Sequence, residues 1–190
     1  MSDFIKPFHL SPFEANINLK ANRNWDDMIT YTNNRNNGTD AFGPMRWACY
    51  GCRVYNTTPI SIITSGSPQA LTFNSQRYDT YGMHSTSVDT SRLTAKRNGI
   101  YSIFGNMEYQ NNITGVRFAL IRLDGTTFIA SSSSVALTDI YATALNVSTH
   151  YYLNTNQYVE LVAIQSSGGA LNVLNNGNRS PEFGMVYIGE

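Results

Sequence analysis

The amino-acid sequence predicts an all-β domain, an antiparallel sandwich or jelly roll, and three observations support this prediction. Short segments of β-forming residues recur about every ten positions from residue 45 onward, Gly, Asn and Asp separate them, and no long helical pattern interrupts them. A chain of 190 residues in which 42% are hydrophobic is long and apolar enough to bury a core without disulfide or metal support.

The clearest strand covers residues 100–109, where the side chains alternate between two faces. One face carries Tyr101, Ile103, Gly105, Met107 and Tyr109, and the other carries Ser102, Phe104, Asn106 and Glu108. A second strand at 115–123 leads into Asp124-Gly125, a dipeptide typical of tight hairpin turns, and residues 126–130 are β-forming again.

The remaining segments predict further strands at 141–152, 158–164, 170–174 and 183–188. Residues 158–164 are almost continuously apolar, which indicates a strand buried on both faces. Between these segments, we interpret the serine run at 131–134 as a flexible or exposed strand connection. Gly168-Gly169 and Asn176-Gly177 are interpreted as turns.

Residues 1–44 differ from the rest, because neither period 2 nor period 3.6 persists in them. Aromatic side chains are dotted among Asn, Pro and charged residues, so we expect an extended arm that orders on a partner, or else wraps its own domain. The candidate docking residues of the arm are Phe4, Phe8, Phe13 and Trp25. The predicted organisation is an N-terminal arm at 1–44 and a head at 45–190.

The balance of charged residues in the sequence disfavours two classes of binding partner. Thirteen basic and thirteen acidic residues cancel, and charged residues make up only 14% of the chain. Coating nucleic acid or an anionic membrane requires a positive excess, so we expect neither partner. No apolar run reaches the length that spans a bilayer, and residues 1–19 lack the apolar core of a signal peptide, so we expect synthesis in a cytoplasm.

Several short sequence strings resemble those of known protein families. Gly99, Tyr101 and Phe104 form a Gly-x-Tyr-x-x-aromatic strand that resembles the complement globular head and tumour-necrosis-factor superfamily. The last strands of that fold resemble residues 158–161, Gly168-Gly169 and Phe183-Gly184. A set of phage virion proteins with this head is more similar still, and it shares FNSQRYD at 73–79, GMHS at 82–85, IRLDGTT at 121–127, SSGGAL at 166–171 and SPEF at 180–183.

The resemblance covers about residues 45–190 and leaves out the arm. It implies a ten-stranded, tumour-necrosis-factor-like jelly roll that closes as a homotrimer, with Ser102 and Phe104 pointing towards the threefold axis. The alternative is that Phe104 packs under a loop of its own chain. A closed ring of three copies buries such a face and leaves no edge for fibre growth.

Four groups of residues could carry chemistry, and none favours an enzyme. Cys49 and Cys52 lack the second ligand pair of a zinc site and the following helix of a redox motif, so both are predicted to be structural thiols. Asp79, His84 and Ser85 lack a nucleophile elbow, and Glu160 and Glu182 are isolated. Asp26, Asp27, Asp124 and Asp139 form no dense acidic loop, so neither a metal site nor a cofactor is predicted.

These observations predict a non-enzymatic phage virion structural protein, exposed on the particle surface. The absence of heptads, collagen-like repeats and a shaft favours a capsid decoration or head-fibre protein, attached through its arm to the major capsid protein. The alternative is a tail-tip or tail-fibre adhesin, which would bind a tail component and recognise a host surface glycan or receptor protein. A cytokine-like cellular head is a third class, which the missing signal peptide disfavours.

Overall fold

The computed structural model of the chain describes residues 50–63, 66–137 and 141–190. These residues form twelve β-strands and no helix: β1 (Gly51–Tyr55), β2 (Ile60–Ile62), β3 (Gln69–Ala70), β4 (Ser75–Asp79), β5 (Arg92–Thr94), β6 (Gly99–Tyr109), β7 (Val116–Leu123), β8 (Thr127–Val135), β9 (Thr143–Leu153), β10 (Tyr158–Gln165), β11 (Leu171–Val173) and β12 (Glu182–Gly189). The all-β prediction is confirmed. The count of ten strands is not confirmed.

The strands build two sheets in which every strand pairing of the described chain is antiparallel. The larger sheet has seven strands in the order β2-β11-β6-β12-β1-β4, and β9 pairs with the other edge of β6 along its full length. The smaller sheet has five strands in the order β3-β10-β7-β8, with β5 also paired to β10. β6 and β10 are therefore the central strands of the two layers.

The core lies between the two sheets, because each central strand turns an apolar row inward. β6 alternates as the sequence predicts, with one set of its side chains buried and the other half-exposed. Val159 to Ala163 of β10 are all buried, which confirms the prediction of a strand covered on both faces. Phe73 and Phe183 stack across the core with ring centroids 5.9 Å apart.

The hairpin between β7 and β8 also forms where predicted. Asp124 and Gly125 both have left-handed backbone conformations, with φ of 46° and 71°, and the Thr126 amide donates to the Leu123 carbonyl across the turn. Two consecutive residues of positive φ match the twist of the flanking strands, which is why Asp-Gly is favoured at this point.

The serine run was interpreted incorrectly as a connection. Ser131 to Ser134 continue β8 and pair with residues 117–120 of β7, Ser131 opposite Leu120 and Ser134 opposite Arg117. The backbone of an adjacent strand supplies the hydrogen bonds that hold these residues extended, and serine side chains that are partly exposed do not oppose it.

Tyr109, at the end of β6, ties the two sheets together. Its ring is fully buried, and its hydroxyl lies 2.7 Å from the Phe118 carbonyl oxygen of β7 and 3.1 Å from the Ile164 carbonyl oxygen of β10. Burial raises the pKa of the Tyr109 phenol, so the hydroxyl stays protonated as a donor. One side chain of the larger sheet thus forms hydrogen bonds with two adjacent strands of the smaller sheet, β7 and β10.

Replacing Tyr109 with Phe should destabilise the fold by about 1–2 kcal/mol, because the buried ring is kept and only the inter-sheet hydrogen bond is lost. Urea unfolding of the purified chain measures the difference. Tyr152→Phe is the matched control, since the Tyr152 side chain is half-exposed on β9. Equal unfolding free energies for the two variants would contradict the role assigned to Tyr109.

Candidate functional site

The face of the larger sheet that points away from the core, called the outer face here, carries the residues predicted for the trimer interface. Ser102 and Phe104 are both on it, and both are half-buried. Strand register places five residues in one row across this face: Ser148, Phe104, Gly184, Arg53 and Tyr78. The prediction that Phe104 points away from the core of its own chain therefore agrees with the structure, whereas its position on a threefold axis stays a prediction.

Gly184 makes room for the Phe104 ring. A Cβ atom at position 184 would overlap that ring and would lie 2.9 Å from the Cys52 backbone carbonyl oxygen. With glycine there, the ring lies over β12 and is half-buried, and it presents an apolar surface at the centre of the outer face.

The same face ends in further exposed apolar side chains. Ile100 pairs with Tyr152 in the ladder between β6 and β9, and Ile188 lies at the β12 bulge beside Ile100. Their exposed fractions are 39%, 51% and 56%. Together with Phe104, these three side chains expose apolar surface on the outer face that a sheet facing only water does not require.

A charged cluster on the outer face was not predicted from the sequence. The Glu182 side chain is fully buried, and its carboxylate accepts hydrogen bonds from Arg53 Nε at 2.5 Å and from Arg77 Nε and Nη2 at 3.0 and 2.9 Å. The Arg77 guanidinium also lies 3.8 Å from the centroid of the Tyr55 ring. Arg53, Arg77 and Glu182 are separated by up to 129 positions, so no local sequence motif indicates the cluster.

Asp79, His84 and Ser85 are brought close together but do not form a catalytic relay. The Asp79 carboxylate accepts from the backbone amides of Tyr81, Met83 and His84, and so holds a turn. Ser85 Oγ accepts from the amides of Ser87 and Val88. These contacts between side chains and backbone amides stabilise the turns of this loop.

The His84 imidazole is held as a neutral ring. Its Nε2 lies 3.2 Å from the Thr90 carbonyl oxygen, which requires an N–H there, and the Gln76 amide nitrogen lies 3.2 Å from Nδ1, which then accepts. Burial lowers the pKa of His84, and the Thr90 carbonyl and the Asp79 carboxylate oppose this in part.

The other candidates have structural partners. Cys52 is buried in β1 and burial raises the pKa of its thiol, in keeping with the structural role predicted, whereas Cys49 lies outside the described residues. Glu160 accepts two hydrogen bonds from Arg122 and one from the Ser91 hydroxyl. Asp124 accepts from the Gln157 side chain and the Tyr158 amide.

Several predicted residues are not described. The arm residues Phe4, Phe8, Phe13 and Trp25, and the acidic residues Asp26, Asp27 and Asp139, all lie outside the described ranges. Within those ranges, no three His, Cys, Asp or Glu side chains are arranged to hold a metal ion. The same ranges contain no helix with the length and apolar character needed to cross a membrane.

Comparison with solved structures identifies the fold. The chain is similar to Eiger TNF from S. frugiperda, with a TM-score of 0.54 and 7% sequence identity over 75% of this chain and 94% of that one. It is also similar to murine APRIL at pH 5.0, with a TM-score of 0.55 and 9% identity over 73% of this chain and 98% of that one. No protein-family model and no curated protein matches the sequence. The protein thus has a tumour-necrosis-factor-like jelly-roll fold.

The neutral His84 predicts a pH dependence of stability. The unfolded chain takes up a proton near pH 6.5, whereas the folded ring does so only at a lower pH, so His84 makes the fold less stable as the pH falls through about 6.5. His84→Gln should therefore flatten part of the decline in unfolding free energy between pH 7 and pH 5. Urea titrations at several pH values test this, with the exposed His150→Gln as control, and an unchanged pH profile in His84→Gln would contradict it.

Proposed function

We propose that the protein is a non-enzymatic structural component of a bacteriophage virion, in which three heads associate through their outer faces and the arm at residues 1–44 attaches them to the particle. The observation that carries the proposal is the outer face, where Phe104 lies over Gly184 at the centre and Ile100, Tyr152 and Ile188 are exposed at one end. The strings shared with phage virion proteins, spread from residue 73 to residue 183, support the same assignment.

A ring of three copies removes from water the apolar side chains that the outer face of a single copy exposes. Burying one Phe side chain contributes about 1.5–3 kcal/mol per subunit. Closure about a threefold axis covers the same patch on every subunit and ends the assembly at a defined size. The partner of the outer face is therefore a second and a third copy of this chain.

The hydrogen bonds and ion pairs of the titratable groups support a non-enzymatic role. The carboxylates of Asp79, Glu160 and Glu182 are each saturated by backbone amides or by arginine, and His84 is fixed between Gln76 and Thr90. Groups bound in this way hold turns and sheets, and they lack the free acid, base or nucleophile that a reaction requires.

Within the virion, a capsid decoration or head-fibre protein fits a compact head with a short arm. The major capsid protein is then the partner of the arm. The alternative, a tail-tip or tail-fibre adhesin bound to a tail component, is favoured by an open groove on the outer face whose lining includes Asn106, Asn146 and Asn178, since amides suit the recognition of a host glycan. Copy number separates the two: hundreds of copies per particle indicate decoration, and a handful indicate a tail.

Phe104→Glu should convert the purified protein from a trimer of about three times 21.2 kDa into a single chain, because three carboxylates would face one another where three rings met. Sedimentation velocity at micromolar concentration measures this. Phe128→Glu is the matched control, since Phe128 is exposed on β8 of the smaller sheet. A wild-type protein that sediments as a single chain would remove the trimer from the proposal.

Deleting residues 1–44 should leave the oligomeric state unchanged and abolish binding to particles, because the head and the arm have separate roles in this proposal. Particles that lack the protein, mixed with full-length or truncated chain and then pelleted, test attachment. A milder variant, in which Phe4, Phe8, Phe13 and Trp25 are all replaced by Ser, should lose attachment as well. Normal decoration by the truncated chain would show that the arm is not the anchor.

A further inference from the structure

The arginine–glutamate cluster of the outer face borders an open cavity of about 410 Å³, lined by Arg53, Arg77, Tyr78 and Asn178. Pockets of this size hold small ligands. The cavity lies where β1 meets β4, an edge strand of the larger sheet, and two of its lining residues, Arg53 and Arg77, bind the fully buried Glu182. Of the described residues considered above for catalysis, only Glu182 forms ion pairs with residues that line the cavity.

The cavity has a surplus of positive charge that its own residues do not neutralise. Two guanidinium groups share one carboxylate, which leaves one net positive charge, and the two arginine side chains are 34% and 31% exposed. Arg53 Nη2 and Arg77 Nη2 also donate to the carbonyls of Asn178 and Gly177. Among the described residues, Nη1 of each arginine donates no hydrogen bond, so two charged donors remain for a ligand.

The donors are held in place, which distinguishes this cavity from a patch of mobile surface arginines. Glu182 fixes both guanidinium planes, and the Tyr55 ring supports Arg77 from one side. A planar, fixed arginine recognises a carboxylate or phosphate through paired hydrogen bonds, and little side-chain entropy is lost when the ligand binds.

A second open cavity, of about 390 Å³, adjoins the first, because Asn178 lines both. Its walls include Asn106, Asn146 and the ion pair between Arg179 and Glu108, and the amide of Asn146 donates to that of Asn106. Amide side chains both donate and accept, which is the pattern that sugar hydroxyls require. The two cavities together form a groove with a cationic end and an amide-rich end.

We propose that the cationic end of this groove binds an acidic saccharide, with the carboxylate of a uronic acid residue in the cavity between Arg53 and Arg77 and the next sugar over Asn178. The site deepens the host-glycan recognition of the adhesin alternative, on which it rests, and it is separate from the attachment and trimer roles proposed above. Arg77 lies on β4, three strands from Phe104 on β6, or about 14 Å at the usual strand spacing, so the cavity opens at the rim of the outer face.

Isothermal titration calorimetry of the full-length protein tests the proposal with digalacturonate, its neutral counterpart galactobiose, and inorganic phosphate as probes. Digalacturonate should bind at least tenfold more tightly than either of the others, and its affinity should fall severalfold between 50 and 500 mM NaCl. Asn178→Asp should weaken it at least tenfold, because a carboxylate then faces the ligand while the arginine–glutamate contacts stay intact.

Arg77→Gln should cause a similar loss, and Arg92→Gln is its control, since Arg92 is comparably exposed on β5 of the other sheet. Asn111→Asp, on the exposed loop after β6, is the control for Asn178→Asp. Phosphate or galactobiose binding as tightly as digalacturonate would overturn the assignment of an acidic saccharide. Unchanged affinity in Asn178→Asp, or no binding of digalacturonate at all, would overturn the site itself.

Discussion

The strict alternation of side chains along β6 is the constraint on which the rest of the structure depends. Both edges of this strand are paired, to β9 on one side and to β12 and β11 on the other, so its side chains can point only into the core or away from it. Tyr101, Ile103 and Tyr109 point into the core, so the side chain of Phe104 must point to the outer face. A slip of one residue would expose the core set, which fixes the register.

Several charged side chains of the described residues are paired within the two sheets. Glu160 pairs with Arg122 in the smaller sheet, and Glu182 pairs with two arginines in the larger one. Arg117 is fully buried and donates to the carbonyls of Asn112, Thr114 and Val116. Buried charges demand such partners, so a chain with few charged residues has little left for nonspecific electrostatic attraction. The cluster at Glu182 stands out because two cations meet one anion.

Most of the strands predicted from the sequence are long, and β11, predicted at residues 170–174 and only three residues long, is the exception. β6, β7, β9, β10 and β12 each have eight or more residues, so their alternation or continuous apolar character stands out in the sequence. The five strands before β6 have two to five residues each and were anticipated only as a β-rich region. In segments this short a period of two cannot be told from chance, and their positions are set by the strands they pair with.

The sequence by itself determined that the chain forms an antiparallel β-sandwich, that Asp124-Gly125 closes a hairpin, and that Phe104 opposes the core face of its strand. These are local properties, because turn geometry and side-chain alternation depend on neighbouring residues. Only the tertiary structure decided that Tyr109 bonds to two strands of the other sheet, that Gly184 accommodates the Phe104 ring, and that Arg53 and Arg77 share Glu182. Those contacts join residues that are from nine to 129 positions apart, and the packing and pairing of strands that create them leave no signal in any single stretch of the chain.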